Sequence, residues 1–133
     1  MENKFDVKYD VVILVNDKIE HAKIELNLSR PCFLMFSYSD LTFSCTGDDY
    51  FDCFCEMRKK LKDIIFYCKG AKTSVFPSRM MRDMGMGLKA YDHKIGRSAT
   101  KDDEVNIFDY EDLNIVVDPD KQFSYWREWL SSL

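Results

Sequence analysis

Residues 5–45 keep a two-residue rhythm of apolar and polar positions. Phe5 to Val15 is rich in β-branched and aromatic residues and stops at Asn16-Asp17, which predicts a strand running into a turn. Over 20–28 the alternation is clean: His21, Lys23 and Glu25 point one way, and Ala22, Ile24, Leu26 and Leu28 the other. That is a half-buried strand, the return arm of a hairpin. Ser29-Arg30-Pro31 interrupts the pairing, and Phe33–Tyr38 and Leu41–Cys45 follow as two short strands about Ser39-Asp40. An antiparallel meander opens the chain.

At Thr46-Gly47-Asp48-Asp49 the period lengthens. Tyr50, Phe51, Phe54, Met57 and Leu61 recur at three- and four-residue spacing, the mark of an amphipathic helix. Thr46 or Asp48 is the expected cap. Arg58, Lys59, Lys60 and Lys62 crowd its last turns, where the helix dipole favours cations. Ile64–Cys68 then reads as a strand closed by Lys69-Gly70. Ser78–Asp83 reads as a short helix or turn after Pro77, stopped by Gly85 and Gly87. Leu88–Ile95 predicts a strand and 96–104 a polar loop. Val105–Phe108 and Asn114–Val117 predict two more strands. Asp118-Pro119 opens a last helix, with Asp as cap and Pro at the first helical position. Phe123, Trp126 and Leu130 are its expected buried stripe. The predicted fold is α+β: an antiparallel sheet of about five or six strands with two main helices on one face.

The 133 residues suit a single domain, and no linker or internal repeat divides them. A hydrophobic fraction of 46%, with ten Phe, seven Tyr and two Trp, supplies a packed core and excludes a disordered chain. The N-terminus is charged and lacks the apolar core of a signal peptide, and no apolar run reaches the roughly eighteen residues of a membrane span. Five cysteines, an odd number lying mostly in apolar stretches, suit reduced core thiols. A cytoplasmic protein without membrane association is expected.

Charge is segregated along the chain. Residues 57–101 carry twelve Lys/Arg against three Asp/Glu, a balance of +9, while the remainder balances at −13 for a net −4. The basic block is compatible with one basic face, or with neutralisation by acidic segments brought alongside it.

The chemistry-bearing residues assemble no catalytic set. Cys53 and Cys55 stand too close for a structural zinc pair and point to different sides of a helix, so no metal site is expected. Cys68 with His93 lacks the surroundings of a cysteine nucleophile. Gly85-Met-Gly87 fails as a phosphate loop and as a dinucleotide fingerprint, so no cofactor is expected. The segment 74–94 remains as a recognition surface. Ser74, Ser78, Arg79, Arg82, Lys89 and Lys94 bring hydroxyls and cations, and Met80, Met81, Met84 and Met86 bring adaptable apolar surface. An acidic pI of about 5.2 argues against a general nucleic-acid binder.

Val75–Tyr91 resembles a group of short, stand-alone bacterial proteins that share a Pro-Ser-x-Met-x-Arg-Asp-Met-Gly-x-Gly-x-Lys-Ala-Tyr pattern, matched here from Pro77 to Tyr91. The similarity extends from the helix at 49–61 through Val105–Asp109, about half the chain, and Met86 stands where glycine is expected. The resemblance implies that 75–91 acts as a unit, and it points toward immunity-type proteins. The candidate binding residues are Ser78, Arg79, Arg82, Asp83, Gly85, Gly87, Lys89 and Tyr91. The expected function is non-catalytic binding of a macromolecular partner, as an inhibitor or regulator. Its acidic residues Asp102, Asp103, Glu104, Asp109, Glu111 and Asp112 would serve as a phosphate mimic against a nuclease. The alternative is an enzyme or sensor of a small anionic ligand held by Arg79, Arg82 and Lys89. A homo-oligomer meeting through the Met-rich segment is a third reading.

Overall fold

A computed structural model describes residues 5–133. The meander forms as the alternation requires. β1 (Val7–Val15) turns at Asn16 and Asp17, both with positive φ, into β2 (Lys18–Leu26). This two-residue turn has the twist that suits a hairpin. β3 (Cys32–Tyr38) and β4 (Leu41–Gly47) pair antiparallel about Ser39-Asp40. With β5 (Ile65–Phe66) they make a five-stranded sheet in the order β4-β3-β2-β1-β5. Ala22, Ile24 and Leu26 of β2 and Leu34 and Phe36 of β3 are buried on one face, leaving His21 and Lys23 in water.

α1 (Tyr50–Lys60) lies on that buried face through Tyr50, Phe51, Cys53, Phe54 and Met57. Its cap is Asp49, in place of the expected Thr46 or Asp48: the carboxylate accepts from the Asp52 N–H at 2.8 Å. The chain then makes a second, three-stranded sheet in the order β6-β7-β8, from β6 (Val75–Phe76), β7 (Lys89–Asp92) and β8 (Glu104–Asn106). α2 (Arg79–Gly85) links β6 to β7, and α3 (Asp120–Ser131) closes the chain. Among the described residues the eight strands therefore divide between two sheets, and three helices replace the predicted pair.

Three other expectations are corrected. Asn114–Val117 is not a strand; Ile115 makes a single bridge to Lys72, because its neighbour segment is a 3₁₀ turn at Lys69–Ala71 and not an extended chain. In α3 the buried positions are Gln122 and Trp129, with Phe123 and Leu130 47% and 45% exposed. α3 starts one residue later than expected: Pro119, with helical dihedrals, stands at the cap position and supplies no side-chain cap, while the Asp118 carboxylate accepts from the Asp120 N–H at 2.9 Å.

Gln122 decides how α3 docks. Its side-chain amide donates to the carbonyls of Gly70, Lys72 and Val75 at 2.8–3.0 Å. Its oxygen accepts from Arg58 at 2.6 Å. Arg58 is itself 2% exposed and also donates to the carbonyls of Gly70 and Val116, so this member of the basic cluster points inward and does not face the solvent at the helix end. Gly70 sits against Ile107 so closely that a Cβ would meet its backbone oxygen at 2.8 Å.

Candidate partner-binding site

The segment 75–91 forms one wall of a cleft of about 690 Å³. The cleft is bounded by the entry to α1 (Asp48, Asp49, Asp52), by Phe76 and Pro77, by Arg79, Arg82 and Asp83 of α2, by Trp126 of α3 and by Arg30. Its floor is aromatic. Phe76 packs edge-on against Phe51, with centroids 5.5 Å apart, and stacks on Trp126 at 5.0 Å, which in turn lies 6.0 Å from Phe123.

α2 has no buried residue. A seven-residue helix is too short to hold itself together in water, so its position comes from directed polar bonds. The Ser78 hydroxyl accepts from the Met81 N–H at 3.1 Å and caps the start. Met86 takes a left-handed conformation (φ 56°), and its N–H and that of Gly87 both return to the Met81 carbonyl. The Arg30 guanidinium donates to the carbonyls of Arg82 and Asp83 at 2.7 and 2.8 Å, the cation favoured at a helix C-terminus. Gly87, at φ +71°, is the position that needs glycine, since a Cβ there would lie 2.8 Å from the Asp49 carboxylate. Gly85 has open space around it.

Arg82 ties α2 to α1. It donates to Asp52 at 2.7 Å and to Asp49 at 3.0 Å while lying over the rings of Phe51 and Phe76. Burial alone would pull its proton affinity down, but the Asp52 and Asp49 bonds outweigh that and push it up. Asp49, only 4% exposed, behaves differently: burial pushes its carboxyl up despite the lowering by the Asp52 N–H and by Arg82. Asp52, more than half exposed, makes the shorter contact with Arg82, 2.7 Å against 3.0 Å for Asp49.

What these bonds hold in place is an exposed face. Met80 and Met84, four residues apart on α2, are 73% and 82% exposed. The Arg79 side chain is 93% exposed and reaches Asp83 at 3.7 Å. Of the candidate residues, Arg79, Arg82 and Asp83 meet at the cleft, and Ser78, Gly85 and Gly87 shape its wall. Lys89 and Tyr91 sit on β7 outside it; Lys89 is exposed, and Tyr91 packs edge-on near His93. Sequence reasoning passed over Arg30, Asp49, Asp52, Phe76 and Trp126. Only the Arg-Pro break and the Asp-rich helix entry hinted at the first three.

The basic block is not one patch. Lys59, Lys69, Lys72, Arg79, Arg82, Lys94 and Arg97 each meet a carboxylate, several of them from the acidic segments. The acidic set is thinned in the same way. Asp103 is held by Lys94, Arg97 and Thr100, and Glu111 by Lys69 and Lys72, leaving Asp102, Glu104, Asp109 and Asp112 exposed. Ser74 and Lys72 both bond Asp92. His93 contacts the Phe76 carbonyl at 3.2 Å and Trp129, with no hydrogen bond to Cys68 among the described residues. Among those residues no group of His, Cys, Asp or Glu is arranged to hold a metal ion, and no helix is long and apolar enough to cross a membrane.

No protein-family model matches the chain, and no curated protein sequence matches it.

Proposed function

We propose that the protein is a non-catalytic module that binds a protein partner through α2 and the adjoining aromatic cleft, as an inhibitor or regulator of the immunity type implied by the 75–91 pattern. The carrying observation is α2 itself: a helix with no fully buried residue, fastened by Arg30, Arg82, Ser78 and Met86, that holds two methionines in water. Exposed apolar side chains on a rigidly held element mark an interaction surface, and methionine adapts its shape to the partner it meets. Arg79 and Asp83 supply a charged rim, Trp126 lines the cleft, and Phe123 lies 6.0 Å from Trp126 and is 47% exposed. The exposed acids Asp102, Glu104, Asp109 and Asp112 would add electrostatic steering toward a basic partner such as a nuclease, which makes association salt-dependent.

The test is a pull-down from native lysate at low salt, with a Met80→Ser, Met84→Ser bait beside the wild type. Both residues are exposed, so the variant keeps its fold. A single protein held in stoichiometric amount by the wild type and lost by the variant supports the assignment. Equal retention by both baits rejects α2 as the contact surface. The small-anion alternative draws on Arg79, whose side chain is 93% exposed and meets Asp83 only at 3.7 Å, because Arg82 and Arg30 are committed to carboxylates and carbonyls.

A further inference from the structure

The long outer edge of the five-stranded sheet is β4, and among the described residues no strand pairs with its far side. It is ladder-paired with β3 over its whole length, from Tyr38↔Leu41 to Cys32↔Gly47, without a bulge. Its sequence, Leu-Thr-Phe-Ser-Cys-Thr-Gly, contains no charge and no proline. Open edges are normally shortened, charged or covered, because their free N–H and C=O groups template another strand. The other edges here follow that rule: β5 and β6 are two residues each and β8 three, and the part of β1 beyond β5 carries Lys8 and Asp10. β4 breaks it.

The two-residue Ser39-Asp40 loop makes Tyr38↔Leu41 a hydrogen-bonded pair, and alternation then aims the backbone of Leu41, Phe43, Cys45 and Gly47 at β3. Thr42, Ser44 and Thr46 aim theirs outward, and all three are exposed. Exposed Asp40 and Asp48 bound the uncharged stretch at its two ends, and neither is in an ion pair among the described residues. Those charges choose the occupant. A second copy docked antiparallel about Ser44 would set Asp40 against Asp48 of the other copy at both ends, like against like. A segment with cations at its ends would meet both carboxylates.

We propose that β4 accepts an extended segment of a partner protein as an added strand, uncharged over about seven residues and flanked on both sides by Lys or Arg. Main-chain bonds to Thr42, Ser44 and Thr46 supply the attachment, and Asp40 and Asp48 select the flanks. This surface lies on a different element from α2 and shares only Asp48 with the adjoining cleft, so substitutions on α2 itself distinguish the two assignments.

The probe is a synthetic peptide of alternating Thr and Val flanked by lysines, titrated into the ¹⁵N-labelled full chain. Saturable shifts centred on the amides of Thr42, Ser44 and Thr46 are expected, with slowed hydrogen exchange at the same amides. A glutamate-flanked peptide should bind at least about tenfold more weakly, and a peptide N-methylated at alternate residues should not bind. Ser44→Pro removes an outward N–H and no ladder bond, so it should fold and weaken binding by a similar factor. The Met80→Ser, Met84→Ser variant should bind the peptide as the wild type does, which separates failure here from failure of the α2 assignment. Shifts centred away from β4, equal binding of the glutamate-flanked peptide, no binding at millimolar peptide, or concentration-dependent self-pairing through β4 would each overturn the proposal.

Discussion

Replacing Gln122 by methionine probes the joint between α3 and the rest of the fold with little change in side-chain volume. Gln122 is 1% exposed; its oxygen accepts from a guanidinium, and its two amide hydrogens are shared among three carbonyls. Two of those carbonyls keep another partner in the variant: Gly70 retains Arg58 at 3.3 Å, and Lys72 retains the Val75 N–H at 3.1 Å. Their loss costs about 0.5–1 kcal/mol each, the net value of a neutral hydrogen bond. The heavier cost falls on Arg58, which gives up its shortest contact while 2% exposed, roughly 1.5–3 kcal/mol for a bond to a charged group. With a similar loss at the Val75 carbonyl the expected destabilisation is about 3–6 kcal/mol, at least about a 10 °C fall in Tm for a domain of this size. Urea unfolding followed by tryptophan fluorescence measures it directly, since Trp126 and Trp129 lie on the same helix. A loss below about 1 kcal/mol at unchanged m-value would refute the account of Gln122 as the group that docks α3.

Three further outcomes are expected. Gly87→Ala forces a Cβ to within 2.8 Å of the Asp49 carboxylate at a positive φ, so it should cost about 1–3 kcal/mol and loosen α2, measured by unfolding and by amide exchange at Met81–Gly85. Burial pushes the Asp92 carboxyl up, but its bonds to Ser74 and Lys72 outweigh that and hold it below the usual range of about 3.8. Its stabilisation is therefore present above that pH and lost as pH falls through the folded value. Asp92→Asn should cost about 1–2 kcal/mol at pH 7, with the difference from wild type shrinking below about pH 4 in unfolding titrations. Burial pushes the Cys55 and Cys68 thiols up to about 12, and Cys53 higher still, so all three should resist a thiol reagent at pH 8 until the protein is unfolded, as read by mass mapping.

Local pattern determined a good deal of this protein. The alternation over 5–45 requires the meander, because a two-residue period buries one face only in a strand, and the three-to-four spacing from Tyr50 requires α1. Asp118-Pro119 marks the start of the last helix, which begins one residue later than the pattern placed it. The segment 74–94 stands out in the sequence because hydroxyls, cations and methionines crowd together there. Tertiary structure decided the rest. Five- and three-stranded sheets cannot be told from one larger sheet by periodicity, since short strands such as β5 and β6 owe their pairing to distant partners. The face that α3 buries followed Gln122 and Arg58, two polar residues whose burial is tolerable only when every donor finds a carbonyl, and no hydropathy pattern encodes that. The cleft was hidden for the same reason. Arg30, Asp49 and Trp126 are far apart along the chain, and long-range polar contacts, not local preference, set them around α2.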